Sequence, residues 1–132
     1  MIIPDTNYLI DVLSNEDNAM EKSKQLQEEG VPQKLCTPVV YEVMAGIEFV
    51  GSKKEKIKID SLVRKFPVLT FDLHAAEICS EIDAELRKEG EKCSPVDLQI
   101  ASIALANNER LLTNDDDFTV MKDVFDLRLE RY

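Results

Sequence analysis

The sequence predicts an α/β domain with a largely parallel sheet and helices on both faces. Short β-rich runs alternate with longer helical ones, the pattern of strands joined by helical crossovers. Several helical runs carry their own start and stop residues. The length of 132 residues suits one domain and is too short for two ordinary ones.

Residues 1–4 (MIIP) read as the first strand, followed by a short helix from Thr6 to Leu13. Pro4 lacks the N–H that a central strand needs, so the strand is expected to be ending there. Residues 18–29 are polar and helical, with Gly30 as a stop. Residues 34–37 (KLCT) form a second strand. Thr37 and Pro38 then supply an N-cap and a first-position proline for a helix reaching about Val50. Residues 53–66 make a further helix, and 67–71 (PVLTF) a third strand. Asp72 caps a long helix to Glu89, which Gly90 ends. Ser94-Pro95 opens another helix that closes near Asn107-Asn108. Residues 110–113 (RLLT) and 124–129 (VFDLRL) are the last two strands. No internal repeat or Ser/Pro-rich linker interrupts this order, so residues 1–132 read as a single domain.

Composition removes several function classes. Sixteen basic against 26 acidic residues give a formal charge of −10, which argues against gripping nucleic acid by overall electrostatics. Any polyanion would have to be met by a local patch or through bound cations. Cys36, Cys79 and Cys93 form no close pair and fit reduced thiols. The single histidine, His74, leaves most zinc hydrolases and serine hydrolases without their side chains. No apolar run approaches the ~18 residues of a spanning helix, and MIIPDTNYLID lacks the basic flank of a secretory leader. A cytoplasmic location is expected.

In open α/β sheets, ligands bind outside the carboxyl ends of the strands. The first strand runs directly into Asp5-Thr6-Asn7. The fourth runs into Thr113 and then Asn114, Asp115, Asp116, Asp117 and Phe118. Two helices starting near the same edge carry Glu42 and Asp97 in early turns. At 100° per residue, Asp97 falls among Ile100, Ala101 and Ala104, with the polar face, Gln99 and Ser102, roughly opposite. A carboxylate in an apolar arc is costly unless it is paired or binds a metal. Each acid alone has a plainer explanation. Asp5 fits an N-cap, and Asp97 fits the third position of a capping box with Ser94. The helix is expected to bury Val39, Val40, Val43, Ile47 and Val50, with Glu42 beside that stripe, and the aspartate run fits a solvated turn. What sets them apart is convergence on one edge of one sheet. Two carboxylates ~4 Å apart repel by about 4 kcal/mol at an effective dielectric of 20. An all-oxygen cluster of this kind selects Mg²⁺ or Mn²⁺. Without a Gly-rich phosphate loop, it points to phosphate-ester hydrolysis by metal-activated water.

With these residues in place, the sequence resembles PIN-domain ribonucleases, specifically the VapC-type toxins of toxin–antitoxin pairs. The resemblance spans essentially the whole chain, through DTN (Asp5), TPVVYEVMAG (Glu42), SPVDLQIASIAL (Asp97) and LLTNDDDF (Asp115 and Asp117). It implies a three-layer α/β/α sandwich and an Mg²⁺- or Mn²⁺-dependent endoribonuclease acting on RNA. It also implies a homodimer and a small antitoxin partner that blocks the acidic pocket. Carried over by motif, Asp5, Glu42, Asp97 and Asp115 form the acidic quartet. Asp117 is an auxiliary acid near the same metal, and Thr6, Asn7 and Thr113 orient carboxylates or water. Asp116 has no assigned role and reads as solvated.

Other classes fit less well. A receiver domain wants paired acids after its first strand, and an aspartyl phosphatase wants a second Asp where Asn7 stands. An RNA-processing nuclease outside a toxin–antitoxin pair, and a non-catalytic binding domain, stay open. Residues 53–65 hold six basic side chains and read as a solvated helix face with a second reading as an RNA-phosphate contact. Ile78, Ile82 and Leu86 make a helical stripe for core or dimer contact, and His74 needs no special role.

Overall fold

A computed structural model describes residues 1–132. The elements are β1 (Ile2–Pro4), α1 (Thr6–Leu13), α2 (Asp17–Glu28), β2 (Leu35–Cys36), α3 (Thr37–Val50), α4 (Lys53–Lys65) and β3 (Val68–Leu69). They continue with α5 (Leu73–Lys88), α6 (Pro95–Ala106), β4 (Arg110–Leu112), α7 (Thr119–Phe125) and β5 (Leu129–Glu130). A 3-10 turn spans Asp116–Phe118.

All strand pairings are parallel. β1 pairs with β4 in the register Ile3–Leu111, β4 with β5 as Leu111–Leu129, and β2 with β3 as Leu35–Val68. A bridge between Ile2 and Gln33 joins the two patches, giving the spatial order β3-β2-β1-β4-β5. Successive strand side chains point to opposite faces. Ile2 and Ile3 are both fully buried, as are Leu111 and Leu112, so the middle of the sheet is covered on both sides. That is the three-layer α/β/α arrangement, with β1 at its centre.

Pro4 occupies the last position of β1 and is buried. The Ile2 N–H and C=O face the β2 side, bonding the Pro32 carbonyl and the Lys34 N–H, whereas the Asp5 N–H bonds the Leu112 carbonyl on β4. Alternation puts the nitrogen of Pro4 on the β2 side, where its missing N–H ends pairing just as β1 gives way to Asp5.

Most helix boundaries follow from local chemistry. The side chains of Asp5, Glu16, Ser52, Asp72 and Ser94 each accept a backbone N–H in the first turn of the helix that follows. Gly51 terminates α3 in the left-handed region at φ 79°, where a side chain would be strained.

Five expectations need correction. Residues 124–129 are not one strand: Val124 and Phe125 end α7, Asp126 turns the chain at φ 60°, and only Leu129–Glu130 pair with β4. Burial of Met121 and Phe118 holds that extra helix down, a tertiary contact that local β propensity does not report. The third strand is shorter than residues 67–71, covering Val68–Leu69 alone. Thr37 is not the cap of α3. Cys36 holds that position without a side-chain bond, because β2 leads straight into the helix. Ser102 is fully buried instead of lying on a polar face. It satisfies its hydroxyl on the Leu98 carbonyl at 2.6 Å, since α6 is packed nearly all round. Val50 is 75% exposed because α3 has passed the edge of the core by its last turn. The stripe of Ile78, Ile82 and Leu86 packs into the core of this chain.

Leu111→Ala is expected to cost about 2–5 kcal/mol, the range for removing a well-packed leucine, whereas Val50→Ala should stay within about 0.5 kcal/mol. Urea unfolding monitored by circular dichroism measures both.

Candidate metal centre

The carboxyl edge of β1 and β4 carries the site. Asp5 follows β1 and is 3% exposed, and both of its oxygens are engaged. Oδ1 accepts the Tyr8 N–H at 2.9 Å, closing the first turn of α1. Oδ2 accepts the hydroxyl of Thr113, the buried residue just after β4. The same Thr113 hydroxyl oxygen accepts the Asp115 N–H at 2.9 Å. A single threonine therefore connects the acid after β1 to the acid after β4.

Asp115 is extended and caps the 3-10 turn, its Oδ1 accepting the Asp117 N–H at 2.9 Å. Asp97 lies in the first turn of α6, with its N–H on the Ser94 hydroxyl at 3.1 Å. One carboxylate oxygen each from Asp97, Asp115 and Asp117 lies within 4.8 Å of the others. Glu42 projects from α3, and its Oε1 accepts the Thr6 hydroxyl at 2.5 Å, which leaves Oε2 free of protein partners.

Asp5, Thr6, Asn7, Glu42, Ser94, Asp97, Ile100, Asp115 and Phe118 line one polar cleft of about 240 Å³. All four members of the expected quartet thus share a cavity. Asp117 joins them through the close-set trio, of which Asp5 is not a member. Thr6 and Thr113 each hydrogen-bond a carboxylate, while Asn7 lines the cleft with an exposed side chain. Asp116 points away and pairs with Arg131 at 2.7 Å. Ile100 and Phe118, the apolar residues of the lining, carry no local sign of a site in the sequence, where Ser94 reads only as a cap. Tyr41, beside Glu42 in sequence, is 66% exposed and does not line the cleft.

None of Asp5, Glu42, Asp97, Asp115 or Asp117 forms an ion pair with a Lys or Arg of this chain. The electrostatic cost is visible in the titration of two of them. Burial pushes the Asp5 carboxyl above its ordinary range, hydrogen bonds from Thr113 and Tyr8 oppose the shift, and the charges of Asp115 and Asp11 add to it. Asp97 is also raised, first by burial and then by Asp115, Glu42 and Asp117, with the Ser94 hydrogen bond working the other way. The nearby Cys36 thiol is pushed up to about 12 by burial, with Glu42 and Asp5 adding to it, so it offers no thiolate at neutral pH. An uncompensated all-oxygen donor set of this kind fits a hard divalent cation and suits neither a soft metal nor a heme.

The fold is a parallel α/β/α sandwich with an acidic cleft at its carboxyl edge, whose close-set carboxylates could hold a metal ion. The chain belongs to the PIN domain family, whose model matches residues 2–124. No curated protein matches it in sequence. Among solved structures, VapBC2 from Rickettsia felis, bound to a DNA fragment from its promoter, superposes with a TM-score of 0.84 at 24% identity, covering 100% of this chain and 99% of that one. DNA-bound VapBC from Salmonella typhimurium gives 0.82 at 21%, with 98% and 96% covered. VapC20 from Mycobacterium tuberculosis, a sarcin–ricin-loop-cleaving toxin, gives 0.70 at 14%, with 92% and 95% covered. At these identities the likeness establishes the fold. No helix is long and apolar enough to cross a membrane.

The titration of Asp97 has a stability consequence. An aspartate raised in the folded state holds its proton longer there than when unfolded, so its contribution to stability falls as pH rises. The decline begins near the ordinary value of 3.8 and continues through the raised one. Without divalent ions, Asp97→Asn is therefore expected to melt above the wild type at pH 7, the gap closing towards pH 4. Paired melting curves of the two proteins across that range read the gap.

Proposed function

We propose that this protein is a Mg²⁺- or Mn²⁺-dependent endoribonuclease and the toxin of a VapBC-type toxin–antitoxin pair. The observation that carries this reading is the set of five carboxylates converging without a cation of the chain to balance them. Membership of the PIN family supports the hydrolytic reading. Likeness in fold to the VapBC complexes supports the toxin assignment.

Asp97, Asp115 and Asp117 would hold the ion, with Asp5 completing the negative wall of the cleft. A bound divalent ion would neutralise phosphate charge and make a bound water easier to deprotonate. Thr6 fixes Glu42 through Oε1, so Oε2 is the atom available to take a proton from the attacking water. Attack of that water on phosphorus would break the bond to the 3′ oxygen, leaving a 5′-phosphate and a 3′-hydroxyl. Thr113 and the Tyr8 N–H hold Asp5 in a single orientation, so it need not reorganise during the reaction. The bound ion would also reverse the local sign of charge, which reconciles a chain of −10 with a polyanion.

A partner has a place to sit beside this cleft. Ile10, Leu13, Val43, Ile47 and Val50 line a groove of about 210 Å³ that reaches Glu42. Ile10 and Val50 are exposed there, as is Phe49 on the same helix at 93%. An antitoxin segment with an apolar stretch would cover the groove and end over the acidic pocket. A homodimer belongs to the same reading.

Purified protein freed of any antitoxin should cut a mixed tRNA and rRNA pool into discrete fragments in Mn²⁺ and leave it intact in EDTA. Asp97→Asn and Asp5→Asn should each lower the rate by roughly 10²-fold or more, the scale of losing a group that stabilises developing charge. Gel analysis of the RNA reads the result, and equal cutting by Asp97→Asn would sink the reading.

A further inference from the structure

The residues after β5 reach back to the acidic loop. Along 113–117, Thr113, Asp115 and Asp117 serve the cleft, while Asn114 and Asp116 turn outward. Those two outward residues are held by Arg131 and Tyr132. Arg131 donates from Nη1 to the Asn114 carbonyl at 2.8 Å and from Nη2 to Asp116 Oδ1 at 2.7 Å. Asn114 donates through Nδ2 to the Tyr132 carbonyl at 2.8 Å and accepts the Tyr132 N–H at 3.0 Å.

Tyr132 then reaches a second element. Its hydroxyl donates to Asp11 Oδ2 of α1 at 2.6 Å. Its ring meets that of Tyr8 nearly perpendicular, with centroids 5.0 Å apart, a favoured aromatic geometry. Tyr8 is the residue whose N–H holds Asp5. Both acidic walls of the cleft are thus connected through residues 131–132, which do not line the cleft itself.

We propose that Arg131 and Tyr132 are positioning residues, which tie the Asp115–Asp117 loop to α1 and set the spacing between the carboxylate trio and Asp5. The exposed Arg131–Asp116 pair adds little to global stability. Its consequence is local: it removes freedom from a loop whose acids repel one another and would otherwise spread apart. Arg131 also neutralises Asp116, the one acid of the run that the cleft does not use. This inference rests on the metal-site reading above, and its test separates the two.

The experiment compares wild type with Arg131→Ala, Arg131→Lys and Tyr132→Ala, using backbone amide exchange by NMR and calorimetric titration with Mn²⁺. The Asp115 and Asp117 amides should exchange roughly tenfold faster in both alanine variants, while Ile3 and Leu111 keep their protection, because the opening is local. Mn²⁺ affinity should fall about tenfold, the lower end for lost outer-shell support, and Arg131→Lys should recover part of it. Unchanged exchange at Asp115 and Asp117 in a folded alanine variant overturns the proposal. Should Tyr132→Ala fail to fold, Arg131→Ala decides, since it touches only exposed groups. Should wild type bind no Mn²⁺, the metal reading fails, and exchange alone decides the positioning role.

Discussion

The hydrogen bonds that Asp5 receives from Thr113 and from the Tyr8 N–H hold the architecture of the cleft together. Asp5 stands where the central strand becomes a helix, and Thr113 stands where the neighbouring strand becomes a loop. A buried carboxylate with both oxygens bonded has no freedom to swing into water. Parallel pairing of β1 with β4 brings the two strand ends level, because Pro4 lies opposite Leu112. Shifting that register by one residue would send Asp5 and Thr113 to opposite faces. The cleft is therefore a direct product of strand register.

Concentrating negative charge at one edge has to be tolerated by the fold. Two helices begin there with carboxylates in favourable places: Asp5 caps α1, and Asp97 sits in the first turn of α6. A helix start carries partial positive charge, which offsets part of the repulsion. The offset is incomplete, since burial and mutual repulsion leave both acids with raised proton affinity. In the reading proposed above, that unbalanced charge is what a bound cation would offset, and the stability given up there would be the counterpart of ligand affinity. The remainder of the sheet compensates through an apolar core on both of its faces.

Much of this was legible from residue order. The span of α1, the caps Asp72 and Ser94, the glycine stops and the four acids at strand and helix ends all follow from short-range chemistry. Three of the departures share one cause. Val124 and Phe125 look like strand residues, yet α7 forms because Phe118 and Met121 are pulled into the core. Ser102 looks solvated, yet α6 is enclosed and the hydroxyl turns back on its own helix. Val50 looks buried by periodicity, yet α3 outruns the core beneath it. In each case the deciding contact lies outside the window in which periodicity operates.

The site divides in the same way. By itself the sequence determined which acids stand at the carboxyl edge of the sheet, because strand and helix ends are encoded locally. Its lack of Cys and His clusters also determined that the side chains gathered there offer oxygens. Only the tertiary structure decided that Asp97, Asp115 and Asp117 form the close trio, that Thr113 connects Asp5 to Asp115, and that Arg131 and Tyr132 reach back to Asn114, Asp116 and Asp11. Asp11 and Tyr132 are 121 residues apart in the chain. No local propensity couples positions so distant; the parallel sheet and the packing of α1 against it do.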